Sequence, residues 1–269
     1  MYNLTIILPT FDPIAIDLGI IKIYWYGISY LLGIILGWLY LRYFLIKKPA
    51  NKDNKFTINI SDTVPWIVIG ILIGGRIGYV IFYNYNYFIE NPIEIIRIWN
   101  GGMSFHGGLI GASISLYLFS LRYKKKYLYL MDLIAIAAPI GIFFGRIANF
   151  INGELVGKVT NLPWGMVYGN HDYLPRHPSQ IYEALMEGVL IFIILGYLSH
   201  KTNIIERSGQ LSAVFLISYG VFRIIAEFFR QPDEHIGYII QSPVTLGMLI
   251  SLPLVLLGIY LWRTNKFYE

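Results

Sequence analysis

Three arginines stand deep inside apolar stretches of this chain, Arg76, Arg146 and Arg223. A guanidinium at the centre of a membrane helix costs about 2.5–3.5 kcal/mol, so each needs a reason to be there. A fourth, Arg42, has a plain one: it lies near the end of its stretch, and its long stem lets the charge snorkel to water. The deep three fall at one depth, which suggests a buried anion among them. Tyr219, Arg223, Glu227 and Arg230 follow at steps of four, four and three, a spacing that puts all four on one helical face. An ion pair between Arg223 and Glu227 accounts for two of these groups and leaves the tyrosine and the second arginine unexplained. Arg146 and Asn149 share a face of another helix, where Gly145 lets a neighbour come close. The chain then leaves that helix through Asn152, Gly153 and Glu154. In lipid such a polar cluster points to binding rather than packing.

The segment GGMSFHGGLIG, Gly101 to Gly111, holds His106 between glycine pairs. Flanking glycines remove bulk around an imidazole that titrates near neutrality, although an interfacial histidine without chemistry fits the same position. His171, His177, His200 and His235 do not form the His pairs that metal sites use, so no metal is expected. No nucleophile elbow, phosphate-cradling glycine loop or dinucleotide fingerprint is present. The chain has 0 cysteines, which excludes disulfides, thiolate metal sites and a cysteine nucleophile of its own. Any thiol in its chemistry belongs to a partner.

The elements that position these groups follow from composition. Of 269 residues, 56% are hydrophobic and 14% charged, against roughly 25% charged in soluble domains. The expected fold class is an all-α polytopic integral membrane protein, one membrane-embedded domain over 1–269. Apolar runs of about 20 residues, the length that crosses a bilayer, lie near 24–45, 62–83, 106–121, 130–150, 179–199, 209–229 and 240–262. That predicts about seven spans. Pro9, Asp12, Pro13 and Asp17 interrupt the first residues, where a cleavable leader needs an unbroken apolar core. Lys47, Lys48, Lys52, Lys55, Arg122, Lys124, Lys125, Lys126, Lys201, Arg207, Arg263 and Lys266 fall in the loops of one side, 12 in all, against 5 on the other. Short cytoplasmic loops accumulate such residues, so the amino terminus is expected outside and the carboxyl terminus in the cytoplasm. The net charge of +5 thereby finds its use in orientation; a nucleic-acid partner is not expected. Gly70, Gly74 and Gly78, like Gly33 and Gly37, Gly107 and Gly111, and Gly141 and Gly145, recur every fourth residue, the spacing of close helix packing.

The run GRIANFINGELVGKVT, Gly145 to Thr160, resembles the signature of the bacterial prolipoprotein diacylglyceryl transferases. IYWYGISY around Tyr26, GGRIGYVIFYN around Arg76, GGMSFHGG around His106, HPSQIYEA from His177 and YGVFRIIAEFFRQPDEHIG from Tyr219 resemble further family segments, in the family's order and through nearly the whole chain. Ala148 and Val156 depart from it without removing a charged group. The resemblance implies a multi-pass enzyme of the bacterial inner membrane, its active site toward the outer face. It would move a diacylglyceryl group from phosphatidylglycerol to the lipobox cysteine of a prolipoprotein signal peptide and release glycerol 1-phosphate, without a cofactor. His106 would accept the thiol proton, and Arg146 and Arg223 would bind the phosphodiester and stabilise its developing charge. Tyr26, Asn149, Glu154 and Tyr219 would orient head group and helices, Gly157 would permit close approach, and Glu227 would hold Arg223; Arg76 and Arg230 complete the substrate-binding set. The alternative class is a polytopic transporter with a buried anion site. It requires polar groups through the full membrane depth, whereas 133–138 and 211–217 are largely apolar. A hydrolase would need a serine–histidine or paired-aspartate arrangement that the spans lack.

Overall fold

The computed structural model describes residues 6–19, 22–47, 59–82, 85–98, 102–169, 171–232 and 244–264. The apolar runs are helices: α1 (Trp25–Lys47), α2 (Thr63–Phe82), α4 (Phe105–Tyr123) and α5 (Tyr127–Ile151), with the short α3 (Tyr85–Glu90) after α2. Then come α6 (Ser179–Glu183), a π turn (Ala184–Leu190) and α7 (Ile191–Lys201), continuous with one another, followed by α8 (Gln210–Glu227) and α9 (Leu246–Thr264). Among the described residues, six helices are long and apolar enough to cross a membrane: α1, α2, α5, the continuous Ser179–Lys201, α8 and α9. The expected span at 106–121 is α4, 19 residues long but outside those six. Three glycines, three serines and His106 thin its apolar content, and the same small residues are what it packs with. The stretch 240–243, expected to begin the last span, lies outside the described residues.

The chain forms two compact units, Leu41–Met131 and, separately, Met1–Tyr40 with Asp132–Glu269. In the first, α2 and α4 lie antiparallel along a glycine seam. A Cβ on Gly78 would sit 2.8 Å from the Gly107 Cα, and Gly70 and Gly74 meet the carbonyls of Gly111 and Gly107. The Ser115 hydroxyl donates to the Trp66 carbonyl across the same seam. The adjoining face of α2 carries Ile69, Ile73, Ile77 and Ile81, all exposed. Small residues inside and large apolar ones outside is the order expected where lipid, not water, surrounds a helix.

In the second unit, Gly33 of α1 seats on Gly141 of α5, 2.8 Å from Cβ position to Cα, and Gly37 on Ala137. Leu133, Ile136, Ile191, Leu195 and Leu211 are fully buried. Asp132, near the start of α5, is buried too and accepts from the Gly209 amide at 2.5 Å and from the amide and hydroxyl of Ser212, both at 2.7 Å. Its carboxylate therefore caps the first turn of α8, where donors have no partner within the helix. Outside the spans, β1 (Ile6–Leu8) pairs in parallel with β4 (Met166–Tyr168), and β2 (Ile14–Asp17) pairs antiparallel with β3 (Lys22–Tyr24).

Candidate active site

Arg146 projects from α5 toward the junction of α6 and the π turn, where two carboxylates wait. Its Nη1 is 2.7 Å from Glu183 Oε2, and its Nη2 is 2.9 Å from Glu187 Oε2; its Nε also donates to Glu187 at 3.3 Å. Arg223 of α8 approaches the same pair, its Nη1 3.0 Å from Glu183 Oε2 and 3.6 Å from Glu187 Oε1. Its Nη2 lies 2.6 Å from Glu227 Oε1. Glu183 and Glu187 are 1% and 0% exposed, which only paired charges tolerate. The wide π turn, a local geometry that recurs at functional sites, begins directly after Glu183 and carries Glu187.

Glu227 closes this cluster. Arg230 Nη1 donates to its Oε1 at 2.9 Å and the Thr245 hydroxyl to its Oε2 at 2.7 Å. Gly247 leaves room for it, since a Cβ there would stand 2.5 Å from Glu227 Oε1. The Arg223–Glu227 ion pair thus exists and Glu227 does hold Arg223, with Arg230 braced on the same carboxylate. Tyr219, one turn before Arg223, is buried. Among the described residues, Arg146, Arg223 and Arg230 face Glu183, Glu187 and Glu227, three cations to three carboxylates. Glu183 and Glu187 are the part that sequence reasoning missed. Two carboxylates four residues apart in a spanning stretch carry the same signal as the deep arginines, and HPSQIYEALMEG displays it.

One turn beyond Arg146, Asn149 donates through Nδ2 to the Tyr26 hydroxyl, which itself donates to Glu154 Oε2 at 2.6 Å. Gln180 Nε2 holds the Glu154 carbonyl at 2.6 Å, and Tyr30 stacks on Tyr26 with centroids 6.2 Å apart. Tyr26, Asn149 and Glu154, expected in one site, do meet. Gly145 differs from expectation: a Cβ there meets nothing within 4 Å, so no neighbour uses the space. Gly157 is crowded instead, its Cβ position falling on the His177 carbonyl, and its amide donates to that carbonyl at 3.1 Å. Its close approach is to backbone, part of a bridge that also ties Gly157 to Arg230. Next to it, Lys158 Nζ donates to the carbonyl of Phe228 at 2.9 Å and of Glu227 at 3.4 Å. Partial burial, then the Lys158 charge, hold the His177 imidazole below its ordinary pKa.

Arg76 and His106 belong to the other unit. His106 is the second residue of α4; its side chain, like His235, lies outside the described residues. Arg76 is buried and donates to the carbonyls of Ile95 and Gly102 at 2.9 Å, Glu94 at 2.5 Å and Arg97 at 3.2 Å, with the Phe88 ring 5.0 Å from its guanidinium carbon. It clamps the segment that leads to Ser104, whose hydroxyl caps α4 by accepting from the Gly107 amide at 3.2 Å. Arg76→Lys is expected to lower stability by about 1–3 kcal/mol, because an ammonium cannot reach four carbonyls with the guanidinium's fork and buried acceptors lose their donors. Thermal unfolding in detergent checks this. Among the described residues no group of three His, Asp, Glu or Cys side chains is placed to hold a metal ion.

Residues 13–264 match the family described as prolipoprotein diacylglyceryl transferase. Proteins named phosphatidylglycerol–prolipoprotein diacylglyceryl transferase are similar to this chain over nearly all of its length. The one from Rickettsia bellii is 49% identical over 254 residues, 94% of this chain and 95% of the relative. That from Rickettsia felis is 47% identical over 253 residues, 94% and 96%, and that from Allorhizobium ampelinum 44% over 262 residues, 96% and 91%. With a family match over nearly its whole length and relatives alike at almost one position in two, this chain belongs to the prolipoprotein diacylglyceryl transferase family.

Proposed function

We propose that this membrane transferase moves the diacylglyceryl group of phosphatidylglycerol onto the lipobox cysteine of a prolipoprotein, the first step of lipoprotein maturation. The observation that carries the reading is the convergence of Arg146 and Arg223, from two spanning helices, on one buried place. Guanidinium groups match phosphate oxygens in shape and charge, and a dry surrounding magnifies them. The cysteine sulfur attacks the glyceryl carbon that bears the phosphate. A carbon–sulfur bond forms, the carbon–oxygen bond breaks, and the oxygen leaves with the electron pair as glycerol 1-phosphate. The thiol has a pKa near 8.5 and reacts as thiolate, so its proton must leave first, and His106 is the proposed acceptor. Arg146 and Arg223 bind the phosphodiester and stabilise the charge on the departing oxygen. Tyr26, Asn149, Glu154 and Tyr219 orient the head group, Arg230 and Glu227 hold Arg223 in place, and Arg76 supports the start of the helix that carries His106.

The basic residues on one side support an amino terminus outside and a carboxyl terminus in the cytoplasm, in the inner membrane of a bacterium. With α4 counted as a seventh span, alternation turns the Arg146 end of α5 and the Arg223 end of α8 toward the outer face, where an exported acceptor arrives. The test is incubation of the purified protein with phosphatidylglycerol and a lipobox peptide. The peptide is expected to gain the mass of a diacylglyceryl group on its cysteine while glycerol phosphate is released. A folded protein that yields neither product sinks the reading. The enzyme itself contributes no thiol, so every thioether found is on the acceptor.

A further inference from the structure

The two arginines meant for a phosphate are already engaged by carboxylates. Arg146 spends Nε, Nη1 and Nη2 on Glu183 and Glu187, and Arg223 divides its fork between that pair and Glu227. Among the described residues, three guanidinium groups face three carboxylates. A phosphodiester entering this cluster adds a fourth negative charge where the effective dielectric is low. Neither Glu183 nor Glu187 has water to retreat to, being 1% and 0% exposed, and an ionised carboxylate stripped of its cation in such a place is costly, so the group neutralises instead. Glu227 is not the one to yield, because Arg230 and Thr245 hold it independently of the shared pair.

Resting on the reading that Arg146 and Arg223 take the phosphate, we infer that Glu183 and Glu187 are positioning residues that release the two guanidinium groups by taking up one proton together as the lipid head group binds. While the site is empty of phosphate, the carboxylates hold both arginines in the bound arrangement. When phosphate oxygens take over the N–H donors, one proton from solution lands on the pair, and the cluster returns to neutrality. Among the described residues, the other charged and titratable groups around the pair are Arg146 from α5, Tyr219, Arg223 and Glu227 from α8, and Arg230 beyond its end, with Tyr26 and Tyr30 of α1 near Arg146. Neither arginine nor tyrosine side chains change charge near neutral pH, which leaves the carboxylate pair to receive the proton.

The probe is a short-chain phosphonate analogue of phosphatidylglycerol in which a methylene replaces the leaving oxygen, so that it binds without reacting. Calorimetric titration of the detergent-solubilised enzyme, in two buffers of different ionisation enthalpy, counts the protons taken up. About one per probe bound is expected, and affinity should fall about tenfold for each pH unit above neutrality. Glu187→Gln is expected to bring the uptake close to zero and flatten that pH dependence while binding persists; Glu183→Gln serves the same purpose should the first variant fold poorly. Raising the lipid concentration rescues turnover in the wild-type enzyme at high pH if the proton acts in binding, a KM effect with kcat little changed. His106→Gln is expected to keep the proton uptake. Binding that disappears in Arg146→Lys yet takes up no proton in the wild type overturns this inference and leaves the phosphate reading intact. No binding to the folded protein at all sinks the phosphate reading, and this inference with it.

Discussion

Arg223→Ala is expected to lower kcat for diacylglyceryl transfer by a factor of about 10²–10³, the range for deleting one preorganised donor from developing charge. The same change strips Glu183, Glu187 and Glu227 of a shared cation, and breaking one partner of a buried pair costs about 3–5 kcal/mol of stability. The two losses have different cures. In the double variant Arg223→Ala with Glu183→Gln, one buried charge disappears with the arginine, so thermal stability should largely return. Turnover should not, because a glutamine cannot stand in for the guanidinium at the phosphate. Unfolding in detergent and single-turnover transfer to a lipobox peptide read the two effects separately. If activity returned together with stability, Arg223 would be part of a structural ion-pair network and nothing more.

The second large effect concerns the glycine seam of α2 and α4. Gly111→Val is expected to destabilise the protein by about 1–3 kcal/mol or more, as overpacking of a filled interface does. Its Cβ would fall on the Gly70 carbonyl, and the Gly74 Cα stands only 2.8 Å from that position; both are backbone and neither can turn aside. Activity should fall with it, since α4 carries His106, the proposed proton acceptor. Gly145→Ala is the matching control on α5. A Cβ there meets nothing within 4 Å, and a helix interior favours alanine over glycine by roughly 0.5–1 kcal/mol, so the melting temperature should stay or rise. Equal losses in both variants would mean that the seam is not what the added atoms disturb.

Much of this architecture was legible in residue types. Apolar runs located the helices because in lipid a helix must satisfy its own backbone and show a hydrocarbon surface. The count of spans was less secure for a physical reason: α4 is held by contacts between small residues, and those dilute the apolar signal that identifies a span. Tyr26, Asn149 and Glu154 meet although Tyr26 lies more than a hundred positions from the other two, an encounter no spacing rule displays. It came from resemblance. The arginines and Glu227 were conspicuous and the other two partners, Glu183 and Glu187, were overlooked, although a buried glutamate in lipid is as anomalous as a buried arginine. Periodicity could not have placed Glu183 and Glu187 either, since the π turn between them departs from the 3.6-residue repeat on which such placement rests. Arg76 stood out by type and depth, yet its donors go to the carbonyls of a following segment, and only three-dimensional proximity tells a clamp from a ligand site.

The ends of α8 bear on the electric field at the cluster. A helix left open at both ends carries roughly half a charge of each sign there. In this chain the Asp132 carboxylate meets the amide end, and the Lys158 ammonium meets the carbonyl end. Each compensating group has the sign that opposes the pole beside it, so the dipole of α8 is weakened at both ends. The potential felt by an arriving lipid then depends in part on these two end groups, and changing Lys158 to a neutral residue should shift it without touching an arginine.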